Sequence, residues 1–177
     1  MAKTPLRSAL TLVAGILITI GGCSDRPQET PTSVVSAHGY TKVALQHGPS
    51  FDQSGSGDNR GEKVIGPAGG TLDIGGGNSI TFPAGALSAP TTIKGRVDNR
   101  YIEVDLGPTG LRFPSGAEPT LVLSYANAAG FVPVNLLTII YTDDAGHFLE
   151  DMQGVVDPAQ KTVSTKLRHF SRYAVGY

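Results

Sequence analysis

The sequence predicts an all-β domain over residues 62–177, an antiparallel β-sandwich of about 8–10 short strands. Three observations support this fold class. The chain has 23 glycines and 12 prolines and lacks tryptophan, a composition typical of short strands joined by tight turns. Apolar and polar residues alternate over several short segments, as in half-buried strands. No stretch has a 3.6-residue apolar repeat long enough to predict a helix.

The first half of this domain begins with a predicted hairpin. Residues 71–74 and 79–82 alternate between apolar and polar side chains, and Gly75-Gly76-Gly77-Asn78 between them is a strong turn signal. Residues 83–90 contain two prolines and predict a loop with room for one helical turn. Two more strands are predicted after it, at 91–97 and 101–106.

The second half predicts further hairpins. Residues 120–125 alternate, and 136–141 are almost wholly apolar, which suits a central strand covered on both faces. Asp143-Asp144-Ala145-Gly146 predicts a turn into a strand at 147–152, and Asp157-Pro158 predicts a second turn. The last prediction is one continuous strand over 162–175.

The N-terminal 22 residues have the pattern of a lipoprotein signal peptide. Lys3 and Arg7 give a positive start, residues 9–20 form an apolar stretch, and two glycines precede Cys23. This order resembles the bacterial lipobox, which implies cleavage before Cys23 and acylation of its sulfur. The apolar stretch is shorter than the roughly 20 residues needed to cross a bilayer as a helix. An uncut membrane anchor and a free buried thiol are the alternatives.

Residues 23–61 predict an acylated cysteine followed by a flexible linker. The segment is rich in Ser, Gly, Pro, Asp and Gln, and such a composition buries too little apolar surface to offset the entropy of ordering. His38 and His47 lie in it without further ligand spacing, so we interpret them as bystanders rather than metal ligands.

Charge and cysteine content limit the function classes. Without Lys3 and Arg7 the chain has 12 basic and 15 acidic residues, a net charge of −3. This balance argues against nucleic acid as a partner, because such binding needs clustered Lys and Arg. Membrane attachment would therefore depend on acyl chains at Cys23. A single cysteine also excludes an intramolecular disulfide.

Four sequence pieces within 66–124 resemble the ZU-five domain, named after zonula occludens proteins and the Unc-five netrin receptors. They are GGTL at 69–72, ITFPAGAL at 80–87, GPTGLRF at 107–113 and PTLVL at 119–123. YTDD at 141–144 and HFSRYAV at 169–175 are similar to the family's late hairpin and last strand. The resemblance implies a β-sandwich that serves as an interaction module, generally without small-molecule chemistry and without a cofactor.

His169-Phe170-Ser171 carries the one sharp catalytic hypothesis. In some members of the family such a triplet cleaves its own backbone before the serine. The resemblance would make Ser171 the nucleophile, His169 the general base and Phe170 the residue of the scissile bond. In a straight strand, His169 and Ser171 would share a face with Cα atoms roughly 6.5 to 7 Å apart. The alternative is structural, with Phe170 packing beside the aliphatic stems of its basic neighbours.

The remaining candidates have weaker patterns. Asp143 and Asp144 lack the further ligands of a calcium loop and are ordinary turn residues. His147, Glu150 and Asp151 provide too few ligands for a zinc site. We therefore expect no metal and no cofactor.

Together these observations predict a bacterial envelope lipoprotein with a non-enzymatic binding or structural module, or, as the alternative, an autoproteolytic one. Its partners would be the membrane, through Cys23, and an envelope protein or polymer. Ser24 lacks the aspartate that typically retains lipoproteins at an inner membrane. In a cell with two membranes, we expect the periplasmic face of the outer one.

Overall fold

The computed structural model describes residues 39–46 and 60–177. The described part of the chain is built almost wholly from β-strands, which form two antiparallel sheets, and the prediction of an all-β sandwich is confirmed. It has eleven strands, slightly more than expected. They are β1 (Arg60–Ile65), β2 (Gly70–Gly75), β3 (Asn78–Phe82), β4 (Thr91–Val97), β5 (Glu103–Gly107), β6 (Thr120–Ser124), β7 (Thr138–Thr142), β8 (Phe148–Asp151), β9 (Val155–Asp157), β10 (Thr162–Lys166) and β11 (Arg172–Gly176).

The two sheets divide the strands between them. The six-stranded sheet has the order β1-β4-β5-β11-β7-β8, and the five-stranded sheet has the order β2-β3-β6-β10-β9. A 3-10 turn, Val134–Leu136, precedes β7, whereas residues 83–90 form turns without a helix. No helix in the described residues is both long and apolar enough to cross a membrane.

The predicted hairpin of β2 and β3 forms around Gly75, Gly76 and Gly77. All three have positive φ angles, which glycine adopts without steric cost. Asn78 fixes the turn, since its Nδ2 donates to the Gly75 carbonyl at 2.8 Å and its Oδ1 accepts from the Ser124 N–H at 2.9 Å. The turn is thereby tied to the end of β6.

The core lies between the two sheets. It is filled by the side chains that point inward from each strand, which are every second residue. Burial alternates along the strands, as in β3 and β4. Each fully buried aliphatic side chain contributes about 1.5–3 kcal/mol. The fully buried members include Ile74, Ile80, Ile93, Val104, Leu121, Ile139 and Val163. Ile140, next to Ile139 on β7, is also fully buried, so β7 is covered on both faces as predicted.

One predicted strand is wrong. Residues 162–175 do not form a single strand, because β10 belongs to the five-stranded sheet and β11 to the six-stranded sheet. The chain changes sheets over residues 167–171, which we call the crossover. Burial explains the break, since Leu167 and Phe170 are both buried, and a straight strand would direct them to opposite faces.

The predicted linker is also wrong in part. Residues 40–46, which we call the strap, lie on the sandwich instead of extending from it. Lys42, Val43, Ala44 and Leu45 are all buried, and the backbone bridges to Gly176, Tyr101 and Ala128. The domain therefore includes the strap, and its first strand begins at Arg60. Cys23, His38, His47 and the predicted signal peptide lie outside the described residues.

Candidate functional site

The crossover carries the His169-Phe170-Ser171 triplet and is held by its backbone to the segment after β5. The Phe113 N–H donates to the Arg168 carbonyl at 2.9 Å, and the Phe170 N–H donates to the Leu111 carbonyl at 2.7 Å. The Gly110 N–H donates to the Phe170 carbonyl at 3.1 Å. The carbonyl of the predicted scissile bond therefore already accepts a backbone donor.

Phe170 is the residue of the crossover whose ring packs in the core. Its ring is 1% exposed and makes edge-to-face contacts with Phe113 and Phe82, at centroid distances of 5.0 Å and 6.0 Å. Such aromatic pairs add about 0.5–1.5 kcal/mol beyond the area they bury. The interpretation that Phe170 packs beside basic side-chain stems is therefore wrong, because the crossover turns its ring into the core.

His169 and Ser171 do not have the relationship predicted for a straight strand. The His169 Nδ1 lies 3.4 Å from the Tyr173 Oη, and its ring contacts Tyr141 edge-on at 5.0 Å. The Tyr173 Oη donates to the His169 carbonyl at 2.7 Å. Within the described residues, no hydrogen bond joins the His169 ring to the Ser171 hydroxyl. Both residues are half-buried.

Tyr173 holds the contacts around His169 in place. Its side chain is fully buried, and burial raises the pKa of its phenol far above the ordinary value, with smaller contributions from Tyr141 and Glu150. The phenol is therefore neutral and serves as a hydrogen-bond donor to the backbone of His169. This hydrogen bond fixes the part of the crossover that leads into β11.

A charged cluster on the six-stranded sheet lies beside the crossover and was missed by the sequence interpretation. Arg172 forms a bidentate contact with Asp105, with distances of 2.9 Å from Nη2 and 3.3 Å from Nε. Its Nη1 donates to the Asp144 carbonyl at 2.7 Å. The hydrogen bond to Asp105 raises the pKa of Arg172, against the opposing effect of burial.

This cluster lines a cleft of about 150 Å³ formed by Arg96, Asp98, Glu103, Asp105 and Arg172. Arg96 and Arg172 both approach Asp105, and Arg172 lies 3.5 Å from Glu103. The Asp98 carboxylate accepts the backbone N–H groups of Arg100 and Tyr101. Opposite charges thus pair within the cleft, and its residues hold β4, β5 and β11 in register.

The strap meets the same cluster through Lys42. Its Nζ forms an ion pair with the Glu103 carboxylate, and both side chains are nine-tenths buried. A Cβ on Gly146 would lie 2.9 Å from this Nζ, so the hairpin between β7 and β8 closes over the ammonium group. The local sequence signal for the strap is the short apolar run of residues 43–45, all of which are buried.

Tyr40 attaches the start of the strap to β8. Its ring stacks on Phe148 at a centroid distance of 4.6 Å, and its Oη donates to Asp151 at 2.9 Å. That hydrogen bond raises the pKa of Tyr40. Burial alone would raise the pKa of Asp151, but hydrogen bonds from Thr138, the Gln153 N–H and Tyr40 outweigh it and lower the value.

The acidic turn between β7 and β8 has a structural role. Asp143 accepts the His147 N–H and contacts the His147 Nδ1 at 2.9 Å. These hydrogen bonds, led by the backbone one, lower the pKa of Asp143. Over residues 39–46 and 60–177, no group of three or more His, Cys, Asp or Glu side chains is arranged to hold a metal ion.

Comparison with known proteins gives no assignment. No family model matches the chain, and no curated protein shows significant similarity to it.

Proposed function

We propose that this protein is a lipid-anchored lipoprotein of the bacterial envelope, whose β-sandwich acts as a non-enzymatic binding or structural module. The pattern before Cys23 supports the anchor, because a positive start, an apolar stretch and small residues follow one another in the order of a lipoprotein signal. In a cell with two membranes, the proposal puts it on the periplasmic face of the outer membrane.

The observation that carries the module proposal is that Phe170 and the two residues after Ser171 serve in packing and pairing. Phe170 fills the core, Tyr173 fixes the His169 backbone, and Arg172 pairs with Asp105. Phe170 thus packs against the other sheet through Phe82, while Tyr173 and Arg172 hold β11 to the crossover and to β5. The resemblance to the ZU-five domain supports the same proposal, because that family mediates interactions. An envelope protein or polymer is the partner class we propose.

The anchor is tested by incorporation of radiolabelled palmitate into cells that express the full chain. We expect a labelled protein that sediments with membranes, and the Cys23→Ala variant should lose both the label and the membrane association. A labelled Cys23→Ala variant, or an unlabelled wild-type chain, would remove the anchor from the proposal.

Autoproteolysis between Phe170 and Ser171 is the second candidate, and one observation favours it. The Gly110 N–H already donates to the Phe170 carbonyl, where charge would develop if that carbon were attacked. The Ser171 Oγ would add to this carbon, the Phe170–Ser171 C–N bond would break, and the serine nitrogen would leave as an amine after taking a proton. Water would then hydrolyse the ester, which restores the hydroxyl and leaves a carboxylate on Phe170.

The two candidates differ in intact mass under denaturing conditions. The non-enzymatic module should end at Tyr177. Loss of residues 171–177 from the wild-type chain, with the full mass restored by Ser171→Ala, would instead establish self-cleavage. His169→Ala is the second variant. If the chain cleaves itself, loss of this general base should also restore the full mass.

A further inference from the structure

The strap occupies a groove that accepts an extended strand. The Val43 N–H donates to the Val175 carbonyl at 2.9 Å, and the Val43 carbonyl accepts the Ile102 N–H at 2.9 Å. The N–H and the carbonyl of one residue in an extended strand point to the same edge. One edge of the strap therefore pairs with both the end of β11 and the residue before β5. The strap bridges these two segments at the point where they separate, next to the hydrogen bond from the Val175 N–H to the Ile102 carbonyl at 2.8 Å.

The pairing continues on both sides of Val43. Thr41 and Tyr177 exchange both backbone hydrogen bonds, at 2.8 Å and 3.1 Å. On the same edge, the Leu45 N–H donates to the Arg100 carbonyl at 2.7 Å. On the opposite edge, the Ala129 N–H donates to the Ala44 carbonyl at 2.8 Å, so both edges of the strap are paired. Main-chain hydrogen bonds of this kind, with side-chain pockets between them, are how proteins hold an added strand.

Side chains secure the strap on both faces of the sheet. Val43 and Leu45 are 3% and 8% exposed and belong to the hydrophobic core. Lys42 pairs with Glu103, and Tyr40 stacks on Phe148. Apolar burial, a shielded ion pair and an aromatic stack therefore act together over a few residues.

We propose that the strap is a non-covalent anchor: the groove formed by the end of β11, residues 100–102 and residues 127–129 binds residues 40–46 as a strand ligand. The domain is held to the N-terminal chain through this contact. The covalent connection over 47–59 is then unnecessary for attachment. If Cys23 carries lipid, as proposed above, residues 24–39 connect the lipid to the strap, and a chain of that length spans at most about 60 Å. Attachment at Arg60 alone would allow about 130 Å.

The test separates the covalent connection from the strap contact. A recognition sequence for a site-specific protease is inserted in the full chain either between Gly55 and Ser56 or between Thr32 and Ser33. The lipidated proteins are bound to phospholipid vesicles, cut to completion and sedimented. We expect the cut after Thr32 to release the domain and the cut after Gly55 to leave it on the vesicles.

Strap variants supply the matched comparison. In the chain cut after Gly55, Val43→Asp should speed the release of the domain roughly tenfold or more, because it buries a charge and weakens the contact. Thr41→Ala is the control, since Thr41 contacts the groove through its backbone. Circular dichroism checks the fold of each variant, and Lys42→Ala replaces Val43→Asp if that chain unfolds.

Prompt release of the wild-type domain after the cut at Gly55 would overturn the proposal. The result does not depend on lipid, because the same chains can be held on resin by an affinity tag on the N-terminal side. If palmitate labelling fails while the resin-bound domain resists release, the anchor at Cys23 is wrong and the strap contact stands. If labelling succeeds and the domain is released, the anchor at Cys23 stands and the strap proposal is wrong.

Discussion

The crossover and the strap are both short segments that meet β11 and pair through their backbones, yet different side-chain contacts fix them. The crossover is fixed by the Phe170 ring, which is buried among Phe82 and Phe113. The strap is fixed by backbone pairing on two edges and by the Lys42–Glu103 ion pair. Loss of the Phe170 ring should therefore destabilise the domain more than loss of one strap side chain.

The largest effect is expected from Phe170→Ala, which removes the ring shared by the aromatic contacts of the crossover. A buried Phe→Ala change costs about 3–5 kcal/mol through lost burial and a cavity. Urea unfolding followed by circular dichroism measures the loss. Phe131→Ala is the control, because that ring is 87% exposed, and a similar loss in both variants would contradict the packing account.

A smaller loss is expected from Leu45→Ala in the strap. Leu45 is 8% exposed, and truncation of a buried leucine costs about 2–3 kcal/mol at the lower end of the usual range. The matched control is Leu136→Ala, because Leu136 is 59% exposed. Equal unfolding midpoints for wild type and Leu45→Ala would mean that the strap does not contribute to the domain in solution.

The Lys42–Glu103 ion pair should show coupled effects on the free energy of unfolding. Lys42→Met leaves Glu103 with Arg172 at 3.5 Å as its nearest remaining cation, so we expect a cost of about 1–3 kcal/mol, below that of a fully orphaned buried charge. Adding Glu103→Gln to Lys42→Met should cost less than the two single changes together. Additive unfolding energies in this double-mutant cycle would show that the pair is not coupled.

The smallest effect concerns acid pH and the start of the strap. The pKa of Asp151 is lowered in the folded chain, so its contribution is present above its unfolded pKa of about 3.9 and is lost as the pH falls through the folded value. Asp151→Asn should flatten this part of the pH profile of unfolding. An unchanged acid limb in the variant would show that other carboxylates dominate it.

Local patterns in the sequence predict most of the fold. The hairpin at Gly75-Gly76-Gly77-Asn78, the strand at 91–97 and the apolar strand β7 follow from turn chemistry and alternation. Each depends on residues close together in the chain. These signals also define the sandwich, because alternating strands must bury one face.

The two regions compared above were not predicted, for opposite reasons. Residues 162–175 alternate without a glycine or proline, so nothing in the sequence marks the change of sheets. The strap carries only a short apolar run, residues 43–45, within polar surroundings. Its partners Ile102, Glu103 and Val175 lie far along the chain. The sequence identified the triplet. Its contacts could not be predicted, because they depend on the crossover.

The most direct test of the account is the intact mass of the protein extracted from membranes and measured under denaturing conditions. We predict a chain that starts at an acylated Cys23 and ends at Tyr177. A chain that still begins at Met1, an unmodified Cys23, or a mass lacking residues 171–177 would contradict a lipid-anchored, uncleaved sandwich.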